Sequence, residues 1–174
     1  MSKVDFIGDG PSGAVFSEDR AYRYSLWRRW EPDCHPSRMM AAIGLNPSTA
    51  DEFRSDPTIT RLMNYAKKFG YGGIAMLNLF AFRATDPKVM KQCGIPIGPL
   101  NNEAIQSVVA ACGNKLLCCW GNHGEHMKRG AEVVYILDQT ELLVFKITKT
   151  GQPSHPLYLP ASLLPVPWII DDNP

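Results

Sequence analysis

Four apolar runs, separated by helical patterns, occupy the middle of the chain. They are RMMAAIGLN at 38–46, GGIAMLNLF at 72–80, NKLLCCWG at 114–121 and ELLVFKI at 141–147. Nearly continuous apolar runs of this length predict strands that are covered on both faces of a sheet. Before them, YRYSLWRRW at 22–30 alternates and is rich in aromatic residues. That pattern predicts an edge strand or a hairpin with antiparallel pairing.

Three segments between these runs carry the apolar spacing of amphipathic helices. The first covers 56–71, where Asp56 or Ser55 can cap the helix, and the others cover 101–112 and about 124–137. Strands that alternate with helices predict an α/β fold with right-handed crossovers. We therefore expect a three-layer α/β/α architecture with a mostly parallel central sheet of about four strands. The N-terminal hairpin or edge strand would be added to that sheet.

The length of 174 residues predicts a single domain, 1–174. Its last segment, PVPWIIDDNP at 165–174, is expected to form an extended tail that packs through Trp168, Ile169 and Ile170. The chain has five cysteines, an odd number without the spacing of a disulfide framework, so we expect reduced, buried thiols.

Composition and charge narrow the class of protein. Hydrophobic residues make up 45% and charged residues 20%, as in globular proteins, and no apolar run is long enough to span a bilayer. The N-terminal MSKVDFIGDG has no long apolar stretch of the secretory type. We therefore expect a soluble, cytoplasmic protein without membrane contacts. Its oligomeric state stays open, with a monomer as the default.

The net charge of +1 creates no overall positive field that would attract nucleic acid, although a local basic patch can still bind it.

Polar and conformationally special residues follow each of the four predicted core strands. They are NPST at 46–49, NLFAFRATDP at 78–87, WGNHGEH at 120–126 and TKTGQPSHPLYLP at 148–160. Ligands of parallel α/β sheets bind at the carboxyl ends of the strands. The four segments therefore predict one ligand site at this edge of the sheet.

These segments resemble, in the same order, the motifs of uracil-DNA glycosylases. GLNPST resembles the GINPG motif of the mismatch-specific branch, and MLNLF resembles the LLLN strand end of the classical enzymes. LLCCWGNHGEHMKRG is similar to FLLWGSHAQKKG, and SHPLYLP is similar to the HPSPLS loop. The resemblance covers about 41–160. The whole pattern resembles more closely a bacterial and phage family catalogued as domain of unknown function 1643, which brings no known activity with it.

The glycosylase resemblance implies an α/β/α glycosylase-like fold and hydrolysis of the N-glycosidic bond of a base in DNA or in a nucleotide derivative. Breaking this bond builds positive charge on the sugar and negative charge on the departing base. The enzyme must also hold the base outside its stack in a pocket that recognises its hydrogen-bonding edge. Such hydrolysis consumes water alone, so no metal and no cofactor are expected.

The resemblance also implies roles for individual residues. His155 would donate a hydrogen bond to the carbonyl oxygen of the departing base. Asn46 would orient the attacking water, as in the mismatch-specific branch, although an amide cannot accept its proton. Asn78 would read the base edge with its donor and acceptor groups, and Leu157 or Tyr158 would fill the gap that the flipped base leaves. Further substrate contacts are expected from Gly44, Leu45, Pro47, Ser48, Thr49, Phe80, Arg83, Trp120, His123 and Pro156.

Several of these residues also fit plainer roles. Asn and His before Pro are common in turns, and Trp120 at the end of a buried strand is typical of a core residue. Cys119, His123 and His126 lack a fourth zinc ligand. The aspartates Asp51, Asp56 and Asp86 are expected to cap helices or turns rather than to act as acids. Lys146 and Lys149, close to the last motif, are expected to be solvated or to meet phosphates.

Departures from the glycosylase motifs widen the range of functions. Ser48 and Thr49 replace a tyrosine and a histidine of the classical first motif, and the last motif lacks its second proline-serine pair. Arg54, Asp56 and Arg83 suit a pocket for something larger than uracil, such as a modified base or a nucleotide. Two alternatives therefore remain open. One is a base-, nucleotide- or DNA-binding module without catalysis, linked to phage or mobile-element DNA modification; the other is an interaction protein on the same fold.

Overall fold

The structure is a computed structural model that describes residues 4–170. Within these residues the chain forms one sheet of seven strands and four α-helices. The strands are β1 (Ser12–Phe16), β2 (Arg23–Arg29), β3 (Met39–Gly44), β4 (Gly73–Asn78), β5 (Lys115–Cys118), β6 (Glu141–Val144) and β7 (Val166–Pro167). The helices are α1 (Pro57–Lys68), α2 (Pro87–Gln92), α3 (Asn101–Ala111) and α4 (Arg129–Ile136).

The sheet has the strand order β1-β2-β4-β3-β5-β6-β7. Its four central strands, β4, β3, β5 and β6, are parallel, while β1, β2 and β7 pair antiparallel with their neighbours. The mixed α/β class is therefore confirmed, but the sheet is larger than the predicted four strands. The β1–β2 hairpin places β2 inside the sheet, between β1 and β4, and β7 is too short to be visible in the sequence pattern.

The unbroken apolar runs reflect coverage of the sheet on both faces. Alternate residues of β3 belong to two separate apolar clusters, with Ala41 and Ile43 in one and Met40 and Ala42 in the other. The first cluster contains the apolar residues of α3 and α4, and the second contains those of α1. Both faces of the strand are thus buried, which explains why its sequence does not alternate.

The helix boundaries follow the predicted capping residues where these are present. Asp56 caps α1 by accepting a hydrogen bond from the Ile59 amide, and Asp86 caps α2 through the Lys88 amide. The segment predicted as one helix over 124–137 is instead divided into a 3₁₀ segment, Asn122–Lys128, and α4. The division falls at Met127 and Lys128, whose φ angles of 57° and 54° no α-helix accepts.

The C-terminal segment packs through only one of the three residues predicted. The Trp168 ring lies edge-on against Trp120 with the ring centroids 5.6 Å apart. Ile169 is 82% exposed and Ile170 is 41% exposed, and both lie beyond the end of β7. The final residues of PVPWIIDDNP, 171–174, lie outside the described part of the chain.

Every helix between residues 4 and 170 is too short or too polar to cross a membrane.

Candidate functional site

A cleft of about 770 Å³ opens at the carboxyl ends of the parallel strands. Its volume lies in the range of pockets that hold small molecules. Loops after β3, β4, β5 and β6 all contribute to its lining, as the parallel sheet requires. Ten of the residues that the sequence predicts for the site line it: Gly44, Leu45, Asn46, Ser48, Asn78, Trp120, His123, His155, Leu157 and Tyr158.

Two predicted binding residues point elsewhere. Phe80 is fully buried in the cluster that contains α3 and α4. The Arg83 guanidinium lies 4.8 Å from the centroid of the Phe16 ring and donates to the Arg20 carbonyl oxygen at 3.2 Å. Arg83 therefore turns towards the β1–β2 hairpin, because the backbone after β4 pairs with that hairpin.

Three further predicted residues lie beside the cleft and do not line it. Pro47 is buried, and its carbonyl oxygen accepts the Ala84 amide at 2.9 Å. Pro156 is the buried first residue of the 3₁₀ turn Pro156–Tyr158. Thr49 is exposed to solvent outside the cleft. The two prolines thus shape the loops that carry Asn46 and His155.

The Asn46 side chain joins two of the four loops. Its Nδ2 donates to the carbonyl oxygens of Ala84 at 2.7 Å and Pro47 at 3.2 Å. These acceptors fix the orientation of the amide, because only the nitrogen can donate to them. The Oδ1 atom accepts no hydrogen bond from the described residues. It is therefore free to accept one from a water or a ligand in the cleft.

Asn78 is held by Arg23, a residue that the sequence analysis did not assign to the site. The Arg23 guanidinium donates to Asn78 Oδ1 at 3.1 Å and to the Ala50 carbonyl oxygen at 2.9 Å. Asn78 Nδ2 donates to none of the described residues. A Cβ atom at Gly44 would lie 3.2 Å from this nitrogen, so a side chain at Gly44 would press on the amide. Asn78 thus presents mainly a donor to the cleft.

Arg23 is a buried cation without an ion pair among residues 4–170. It is 2% exposed, and its Nε has no hydrogen-bond partner within the described part of the chain. Burial lowers the pKa of Arg23 to about 10, while the negative charge of Asp56 opposes this change. The group is therefore still charged at neutral pH. Because an unpaired buried charge is costly, its position at the cleft indicates a ligand that carries acceptors or negative charge.

His155 is held as a neutral hydrogen-bond donor. It caps the 3₁₀ turn Pro156–Tyr158, and its Nδ1 accepts the Leu157 amide at 3.3 Å. Accepting at Nδ1 places the single ring proton of the neutral form on Nε2. Burial lowers the pKa of His155, and the Asp56 carboxylate opposes this change. At pH 7 the ring is therefore neutral and offers an Nε2–H donor to the cleft.

Protein stability should fall as the pH is lowered from 7 to 5. The folded pKa of His155 lies below that of the unfolded chain, so the unfolded state binds the proton more readily. The free energy of unfolding then decreases below about pH 6.5, the ordinary pKa of histidine, and levels off below the folded pKa. His123 acts in the same direction. Urea unfolding at pH 7, 6 and 5 measures the effect, and His155→Asn should flatten part of it. An unchanged slope in that variant would contradict the assignment of the shift to His155.

The rim of the cleft is basic and partly apolar. Lys146 and Lys149 are exposed at the rim, where they suit contacts with phosphates. Tyr158 is 85% exposed and Leu157 43% exposed. His123 is also exposed, and its Nδ1 lies 2.9 Å from Lys91 Nζ. The rim therefore combines positive charge with exposed apolar surface.

The side chains around the cleft do not form a recognisable metal or thiol centre. Between residues 4 and 170, no three His, Cys, Asp or Glu side chains are grouped as metal ligands. Burial raises the pKa of the Cys119 thiol, at the start of the third loop, to about 12. At neutral pH that thiol is protonated and is not a nucleophile.

Fold and cleft together define an α/β protein with a cleft at the carboxyl edge of its parallel strands. The chain belongs to a family of proteins of unknown function, DUF1643, whose model matches residues 23–157. The match begins at Arg23 and ends at Leu157, so it includes the first three loops of the cleft and the fourth as far as Leu157. A search of curated proteins and a search of solved structures each gave no significant match.

Proposed function

We propose that the protein is a hydrolase of the uracil-DNA glycosylase type, acting on a modified base in DNA or in a nucleotide derivative. The observation that carries the proposal is the meeting of Asn46, Asn78 and His155 in one cleft. Asn78 is the last residue of β4, while Asn46 and His155 lie on the loops after β3 and β6, and the three follow the order of the glycosylase motifs. The proposal includes the three-layer arrangement of glycosylases, which the apolar clusters on the two faces of the sheet support.

In this reaction the base lies against Asn78 and the charged Arg23. Asn78 Nδ2 donates to an acceptor on the base, and His155 Nε2–H donates to a carbonyl oxygen that becomes negative as the base departs. Asn46 Oδ1 orients the attacking water. Leu157 or Tyr158 takes the place of the base in the stack, and the lysines of the rim bind phosphates. The reaction consumes water and needs no cofactor.

A second candidate is a base- or nucleotide-binding module that does not cleave its ligand, linked to phage or mobile-element DNA modification. The contacts of Asn46 favour it, because the side-chain nitrogen is used to hold the loop backbone. An amide also cannot take the proton of a water. The two candidates differ in a single measurable event, which is the release of free base.

Release of free base should be tested by mass spectrometry on oligonucleotides and nucleotides that carry uracil, 5-hydroxymethyluracil and other modified pyrimidines. We expect release by the wild type, and a decrease of about a hundredfold in Asn46→Ala, because the water is no longer oriented. Asn64→Ala is the control, since Asn64 is an exposed residue of α1 outside the cleft. If the folded wild type releases no base from any substrate but binds one of them, the binding module replaces the hydrolase.

A further inference from the structure

Among the described residues, the cleft is lined by one acidic side chain, Asp56. Asp56 precedes α1, and its Oδ1 accepts the Ile59 amide at 2.9 Å. The cap occupies one carboxylate oxygen. The other, Oδ2, accepts no hydrogen bond from residues 4–170. Asp56 is therefore a capping residue that keeps a free oxygen at the wall of the cleft.

The negative charge of Asp56 acts on two groups that line the cleft, Arg23 and His155. It favours the charged form of Arg23 and opposes the decrease in the pKa of His155. Arg23 lies on β2 and His155 on the loop after β6, so the Asp56 carboxylate influences groups on two different walls of the cleft. Yet no ion pair joins Asp56 to either group or to Lys146 in the described chain. Its negative charge is thus not neutralised by a direct partner.

Hydrolysis in this cleft would otherwise lack two groups. The attacking water must lose a proton, and neither the Asn46 amide nor the Arg23 guanidinium can accept one. His155 accepts the Leu157 amide at Nδ1 and carries its proton at Nε2, so it serves as a donor. The sugar, moreover, becomes positive in the transition state and needs a nearby negative charge.

We propose that Asp56 is the catalytic carboxylate of this cleft, in place of the acid that position 46 lacks. This role rests on the proposed hydrolase function. The water oxygen bonds to C1′ of the sugar while the bond from C1′ to the base nitrogen breaks, and the electron pair leaves with the base. His155 stabilises the resulting negative charge. Asp56 stabilises the positive sugar, takes a proton from the water and returns it through solvent to the base. The products are the free base and the hydroxyl-bearing sugar.

Asp56→Asn separates this role from capping. Asparagine caps helices as well as aspartate does, so the variant keeps the contact with Ile59 and loses the charge and the proton acceptor. Asp86→Asn is the matched control, because Asp86 also caps a helix, α2, with its Oδ1, in this case through the Lys88 amide, and does not line the cleft. Thermal unfolding of both variants should stay close to that of the wild type.

The measurements are single-turnover base release and binding of the intact substrate by fluorescence anisotropy. We expect release by Asp56→Asn to fall at least a hundredfold, with substrate binding unchanged or tighter, and Asp86→Asn to behave as the wild type. Release at the wild-type rate in Asp56→Asn would overturn the inference and leave the hydrolase function standing. Loss of binding in parallel with release would overturn it too, since Asp56 would then act in recognition. No release by the wild type itself would overturn the hydrolase function, and the role of Asp56 with it.

Discussion

Replacing His155 with asparagine should lower base release by about 10²- to 10³-fold while the protein stays folded. The Oδ1 of asparagine can accept the Leu157 amide as Nδ1 does, so the cap of the 3₁₀ turn is kept. The shorter side chain has no group at the position of Nε2. The departing base therefore loses its hydrogen-bond donor, and single-turnover release measured by mass spectrometry should show the decrease.

The chain contains a matched control for this substitution. His35 also precedes a proline and caps a 3₁₀ turn, Pro36–Arg38, through a hydrogen bond from the Ser37 amide to Nδ1. It is exposed and lies outside the cleft. His35→Asn makes the same chemical change at the same kind of turn, and base release should remain at the wild-type rate. Equal losses in both variants, or none in His155→Asn, would contradict the role of His155.

The sequence predicted the parallel strands and the loops of the cleft because both depend on local patterns. An unbroken apolar run such as MMAAIG indicates a strand that is buried on both faces. A polar residue that follows it within two positions, such as Asn46, then lies at the carboxyl edge. Phe80 and Arg83, which the motifs also placed in the site, do not line the cleft, since a motif does not reveal which way each of its side chains points. Phe80 turns into the core, and Arg83 turns to the β1–β2 hairpin.

Arg23 could not be predicted by the same reasoning. It lies 55 residues before its partner Asn78, in a segment where an arginine is expected to be solvated. Only the antiparallel pairing of β2 with β4 brings it beneath the cleft. A contact of this kind depends on the tertiary register of two strands. The buried charge therefore emerges only once the sheet is assembled.

Replacing Arg23 with methionine should weaken ligand binding by about 10- to 100-fold, the usual worth of a hydrogen bond to a charged group. Asn78 would lose the partner that orients its amide, and the cleft would lose its buried positive charge. The free energy of unfolding should nevertheless stay within about 2 kcal/mol of the wild type. Burial lowers the pKa of Arg23 from 12.5 to about 10. Burying the charged guanidinium therefore costs the folded state about 3 kcal/mol, and an uncharged methionine avoids this cost. This gain offsets the two lost hydrogen bonds.

Arg28, on the same strand and also buried, provides the contrast. Its guanidinium donates to the carbonyl oxygens of Trp27 at 2.9 Å and Arg54 at 3.0 Å, and it lies outside the cleft. Arg28→Met would remove these hydrogen bonds and a further one to the Asp51 carbonyl oxygen. It should therefore lower the free energy of unfolding by several kcal/mol, at about 1.5–3 kcal/mol for each hydrogen bond to a charged group. Urea unfolding and ligand titration on both variants test the distinction. If Arg23→Met unfolds as easily as Arg28→Met, or binds ligand as well as the wild type, Arg23 serves the fold and not the site.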